Sequence, residues 1–94
     1  MSEIAGSSVG EISFASLEEL LTQVGFKTLP TAGKHQVFKE PVSKAMVVLP
    51  AYPKQAQVRP IHLVAVRRTL VENGLIDEDV FDRFINKLSD LVSN

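Results

Sequence analysis

The stretch that decides the fold is HQVFKEPVSKAMVVLP, which occupies residues 35–50. Its first six residues alternate between two faces, as the residues of a half-buried β-strand do. The turn-forming residues PVS follow, and the next run, KAMVVL, is the most strand-like in the chain and stops at Pro50. A short turn between two such runs predicts an antiparallel hairpin.

A helix and one further strand are predicted before this hairpin. Ser16 and Glu19 fit a capping box, apolar residues follow at helical spacing, and a glycine ends the run, so we expect a helix over residues 17–24. Residues 26–29 form a short strand by their pattern, and PTAGK at residues 30–34 forms a turn. The additional strand makes the hairpin a three-stranded antiparallel meander.

Two helices are predicted after the sheet. A proline-rich loop leads to Pro60, whose ring suits the first turn of a helix that ends near Gly74. The last helix, residues 78–92, carries an apolar stripe. The order α-β-β-β-α with an additional C-terminal helix predicts a two-layer α+β domain over residues 13–94. Residues 1–12 are small and polar, and we expect them to be a disordered tail.

The composition excludes several classes of protein. The chain has 94 residues and no cysteine, so disulfides and thiolate metal sites are excluded. The two histidines have no zinc-ligand spacing, and there is no glycine-rich phosphate loop, so we expect no metal and no cofactor. The longest apolar runs are far too short to cross a bilayer. We therefore expect a cytoplasmic protein with no membrane partner.

Charge is unevenly distributed along the chain. Eight lysines and arginines, but only one acid, Glu40, lie between residues 27 and 68, whereas both ends of the chain are acidic. Such a segment either binds a polyanion or merely solvates one face of the sheet.

Several short motifs are similar to those of a known family. AGKHQVFK at residues 32–39, the strand end MVVLP, the proline-led helix and the NGL triplet at residues 73–75 resemble the HicA-like (YcfA-like) mRNA interferase toxins. The resemblance covers about residues 17–75. It implies a fold like the double-stranded-RNA-binding domain, cleavage of RNA, and a cognate HicB-like antitoxin as partner. The chain departs from the family at Lys34, where serine is usual, and in its longer last helix.

The resemblance also implies a catalytic residue, to which the chemistry of the neighbouring residues adds a predicted RNA-binding set. It places the catalytic histidine at His35, in a Gly-x-His pattern with Gly33. Imidazole exchanges a proton near neutral pH, and RNA carries its own nucleophile in the 2′-OH, so one general base can start attack on the adjacent phosphate. Gly33 lets backbone approach a phosphate, and Lys34 stabilises charge on its oxygens. The further predicted RNA-binding residues are Lys39, Lys44, Arg59 and Arg68.

Other interpretations remain open. The same fold can serve as a catalytically inactive module that binds RNA or a protein partner, with a homodimer through the C-terminal helix. No spacing rule supports a functional role for His62. Arg67 falls inside an apolar arc, where we favour snorkelling to the rim over pairing with an acid or a phosphate. Tyr52 either stacks on a base or covers the edge of the core.

Overall fold

The structure, a computed structural model, describes residues 12–31 and 33–93, with side chains up to residue 86. Its elements in chain order are helix α1 (Phe14–Val24), strands β1 (Lys27–Leu29), β2 (His35–Lys39) and β3 (Met46–Pro50), and helices α2 (Pro60–Glu72) and α3 (Glu78–Ser93). The predicted α+β class and the α-β-β-β-α order with an additional C-terminal helix are confirmed. Pro60 occupies the first turn of α2, as its position in the sequence predicts.

The predicted tail lies almost entirely outside the described residues, which begin at Ile12. Ile12 itself was assigned to the tail, yet its side chain is buried and its carbonyl accepts the N–H of Val58 at 2.8 Å. Ile12 therefore belongs to the packed domain.

The three strands form an antiparallel sheet in the order β1-β2-β3. The register pairs Lys27 with Lys39, and His35 with Pro50. Because side chains alternate along a strand, the sheet has two faces of different chemistry. The inner-face residues that are buried under the helices are Phe38, Val47 and Leu49. We define the outer face as Lys27, Leu29, His35, Val37, Lys39, Met46, Val48 and Pro50.

The helices pack on the inner face and close the core. The buried helical residues are Phe14, Leu17 and Leu21 from α1, Leu63, Val66 and Leu70 from α2, and Phe81 from α3. Burying each such side chain stabilises the fold by roughly 1.5–3 kcal/mol. None of the helices in the described part of the chain has the length and apolar character that crossing a membrane requires.

Helix α1 begins earlier than the sequence predicts. Ser13, and not Ser16, is the N-cap, and its hydroxyl accepts the N–H of Ser16 at 3.2 Å. Phe14 is fully buried, and its N–H donates to the carbonyl of Ala56 at 2.8 Å. The capping box from Ser16 to Glu19 is therefore wrong, because contacts with the proline-rich loop extend the helix by one turn.

Arg67 joins α2 to α3. Its Nε donates to Oδ1 of Asp82 at 3.0 Å and its Nη2 to Oδ2 at 3.3 Å, while Glu78 lies 3.5 Å from Nη2. The hydrogen bonds to Asp82 raise the pKa of the Arg67 guanidinium above its ordinary value. The structure therefore shows Arg67 paired with acids at the exposed edge between the two helices, an alternative that we ranked below snorkelling alone.

Candidate nucleic-acid interface

His35 is the first residue of β2, and its side chain is exposed. The backbone around it is fixed: the hydroxyl of Thr31 donates to the His35 carbonyl at 2.7 Å, and the N–H of Ala51 donates to the Lys34 carbonyl at 2.9 Å. Both bonds use main-chain acceptors and leave the ring in solvent. Among the described residues, no hydrogen bond to the imidazole is found. His35 therefore presents an accessible ring from a fixed position.

The two residues before His35 are also exposed. A Cβ added to Gly33 would meet nothing within 4 Å, so the space beside this backbone is open to a ligand. Lys34 follows directly and extends into solvent. Gly33, Lys34 and His35 thus form one exposed run at one end of the sheet.

Three further lysines lie at the opposite end of the sheet. Lys27 and Lys39 are cross-strand partners on the outer face, and Lys44 is exposed in the turn between β2 and β3. At about 3.4 Å per residue, Lys39 lies about 14 Å from His35 along β2. The two ends can therefore contact different phosphates of one strand, but not the same phosphate.

The outer face carries no carboxylate. Glu40, the one acid in the basic segment, is buried in the turn after β2. Its carboxylate accepts the N–H of Ser43 at 2.6 Å and that of Val42 at 3.1 Å. Hydrogen bonds from Ser43, its side chain first and then its backbone, together with the bond from Val42, lower the pKa of Glu40. Glu40 therefore stabilises the turn through these hydrogen bonds, and the lysines of the outer face have no acid among them.

The structure does not bring Arg59 and Arg68 to this face. Arg59 is the N-cap residue of α2, and Arg68 is an exposed residue of the same helix whose Nε lies 3.9 Å from Oε2 of Glu72. Because α2 packs against the inner face, both arginines belong to the helical side of the domain. Conversely, Lys27 was missed at the sequence level, since only the strand register places it beside Lys39.

The second histidine belongs to a different cluster. The Tyr52 hydroxyl lies 2.5 Å from Nδ1 of His62 and accepts the backbone N–H of Arg59 at 2.9 Å. The Tyr52 hydroxyl and Nδ1 of His62 share one hydrogen bond, and the tautomer of the ring decides which of the two donates. The Tyr52 ring stacks on Phe14 with centroids 5.6 Å apart. Tyr52 therefore covers the edge of the core, and His62 belongs to the first turn of α2.

A pocket of about 380 Å³ lies between α2 and α3, lined mainly by apolar residues such as Leu63, Val64 and Phe81. It is on the opposite layer from His35. No cluster of three or more histidine, aspartate and glutamate side chains that could hold a metal ion occurs in the part of the chain that the structure describes.

Fold and site together define an α+β domain with one open sheet face that carries an accessible histidine and a lysine pair. No known family, curated protein or solved structure gives a significant match to the chain.

Proposed function

We propose that the chain binds RNA across the outer face of the sheet and that His35 cleaves the bound strand, as in a HicA-like mRNA interferase. The observation that carries this proposal is the placement of His35, exposed, on the same face as Lys27 and Lys39 and with no carboxylate among them. Such a surface attracts a polyanion, since each lysine that meets a phosphate releases a counterion. Cytoplasmic mRNA is the substrate that this function requires.

The reaction needs only one base on the protein. The neutral imidazole of His35 removes the proton from a 2′-OH, and the freed oxygen attacks the adjacent phosphorus. The bond from phosphorus to O5′ breaks, which leaves a 2′,3′-cyclic phosphate and a 5′-OH that takes its proton from water. Lys34 stabilises the charge that develops on the phosphoryl oxygens, and Gly33 allows close approach of the backbone. General base catalysis of this kind contributes roughly 10²–10⁴-fold in rate.

The second candidate function is binding without cleavage. It is favoured by the hydrogen bond between Tyr52 and His62, because this bond ties the second histidine to the edge of the core, and among the described residues no hydrogen bond joins it to His35. In this case the outer face binds RNA or a protein partner and leaves the RNA intact. In either case, a HicB-like antitoxin would act by covering the same face.

Analysis of RNA ends distinguishes the two candidates. Wild type and His35→Ala are incubated with a labelled RNA and with the same RNA carrying 2′-deoxy residues at the cleaved positions. We expect wild type to release fragments that end in a cyclic phosphate, the deoxy substrate to resist, and His35→Ala to be slower by about 100-fold or more. Lys54→Gln is the matched control, because Lys54 pairs with Glu18 of α1 and lies apart from the outer face.

Three other results would decide between binding without cleavage, a different catalytic base, and rejection of the proposal. RNA that stays intact but is retarded by the protein identifies the binding module. Cleavage that survives in His35→Ala excludes His35 as the base. Absence of both binding and cleavage rejects the proposal altogether.

A further inference from the structure

Strand β3 is one edge of the sheet, and within the described residues no strand pairs with its free side. The N–H of Ala51 donates to the carbonyl of Lys34, which shows that the odd-numbered residues of β3 direct their backbone groups toward β2. Backbone groups alternate in direction along an antiparallel ladder. The N–H and C=O groups of Met46 and Val48 therefore point away from the sheet.

This edge lacks the features that usually prevent strands from pairing with other chains. Natural sheets protect their edges with charges, prolines or very short strands. The opposite edge, β1, has three residues and begins with Lys27. By contrast, β3 has five residues and no charge, and the side chains of Met46 and Val48 are 48% and 55% exposed. Only Pro50, which has no N–H, limits the edge at one end.

We propose that β3 pairs antiparallel with β3 of a second copy of this chain. Met46 of one copy lies opposite Val48 of the other, so that every outward N–H and C=O of these two residues finds a partner. Pro50 falls beyond the paired residues. The edge is self-complementary, because the two exposed apolar side chains of each copy cover those of the other. Because the β3 edge is complementary to itself, we assign a second copy of the chain as its partner.

Charge decides the direction of pairing. In the antiparallel arrangement, Lys44 of one copy and Lys44 of the other lie at opposite ends of the shared edge, whereas parallel pairing would put them side by side. The dimer has one six-stranded sheet with a continuous outer face that carries both copies of His35 and both lysine pairs. Its formation does not depend on whether that face binds RNA.

The test is the mass of the protein in solution, measured without RNA by sedimentation over a range of concentrations. We expect wild type to pass from the 10.3 kDa monomer to a species of twice that mass. Val48→Pro removes an N–H that β2 does not use, so the intramolecular ladder stays intact while the pairing is lost. We expect this variant to stay monomeric, with its dissociation constant raised at least tenfold, and Val48→Thr, which keeps the N–H, to remain a dimer.

Two further variants make the result decisive. Val48→Lys places like charges near the two-fold axis at an exposed site and should also be monomeric, which decides the matter if Val48→Pro fails to fold. Ile61→Lys changes an exposed apolar residue of α2 and should leave the dimer unchanged. A wild type that is monomeric throughout, a dimer that survives Val48→Lys, or a dimer that Ile61→Lys abolishes would each overturn the proposal.

Discussion

Lys27 and Lys39 lie directly opposite each other in neighbouring strands, so two positive charges share one end of the outer face. Like charges in this position destabilise a sheet, and opposite charges stabilise it. The pair is therefore unfavourable for folding alone, and a bound phosphate chain would offset its repulsion.

Lys27→Glu should thus change stability and RNA binding in opposite directions. The new pair with Lys39 should raise the free energy of unfolding by about 0.2–1 kcal/mol in urea titrations. The same change should weaken RNA binding and reduce the slope of log affinity against log salt concentration by about one. Lys54→Gln is the control for both measurements. Unchanged affinity in Lys27→Glu would remove this end of the sheet from the interface.

Gly33→Ala separates the role of the glycine in binding from any role in folding. Since an added Cβ meets nothing within 4 Å, the free energy of unfolding should change by less than about 0.5 kcal/mol. RNA cleavage should nevertheless fall, because the methyl group occupies space next to the phosphate. Gly25→Ala gives the contrasting case: its φ of 121° is unfavourable for a side chain, and we expect a loss of roughly 1–2 kcal/mol. Equal stability losses in the two variants would contradict this assignment.

Tyr52→Phe tests the assignment of His62 to the scaffold. Removal of the hydroxyl takes away the hydrogen-bond partner of the exposed Arg59 N–H and of Nδ1 of His62, which should cost about 0.5–1.5 kcal/mol of stability for each hydrogen bond. Stacking on Phe14 is retained, so the domain should still fold and still bind RNA. Chemical denaturation and binding assays at a temperature well below the transition measure the two effects. A variant as stable as wild type but inactive on RNA would instead place Tyr52 in the functional site.

Glu40 should make the fold sensitive to acid. Its pKa in the folded chain is below the ordinary value of 4.5, so the unfolded chain binds the proton more readily. The stability that the carboxylate contributes is therefore present above pH 4.5 and is lost as the pH falls through the lowered pKa. Glu40→Gln should be less stable than wild type at neutral pH, and the difference should shrink on acidification. A difference that stays constant from pH 7 to the acid limit would exclude this role.

The sequence predicted the elements well because they depend on local pattern, but it missed relationships that depend on contacts between elements. Both Ser13 and Ser16 are suitable caps, and only the contact between Phe14 and the proline-rich loop selects the first. The partner of Arg67 is Asp82, on another helix, so helical periodicity within α2 alone could not identify it.

The candidate site likewise contains residues that are adjacent in sequence and residues that only the fold brings together. Gly33, Lys34 and His35 are adjacent in sequence and stay together in space. Lys27 joins Lys39 only through the strand register, and Arg59 and Arg68 are separated from them because α2 packs on the other side of the sheet. The run of basic residues along the chain therefore predicted a larger basic surface than the one that the folded domain presents.

The most direct test of the account is residue-by-residue mapping of RNA binding by NMR, with the cleavage-deficient His35→Gln variant and a short single-stranded RNA. We predict that the largest shifts occur at the outer face and its two ends, at Lys34, Val37, Lys39 and Val48, and that they disappear as salt is raised. Shifts confined to α2 and α3, around Arg59 and Arg68, would contradict the claim that the open sheet face is the RNA-binding surface.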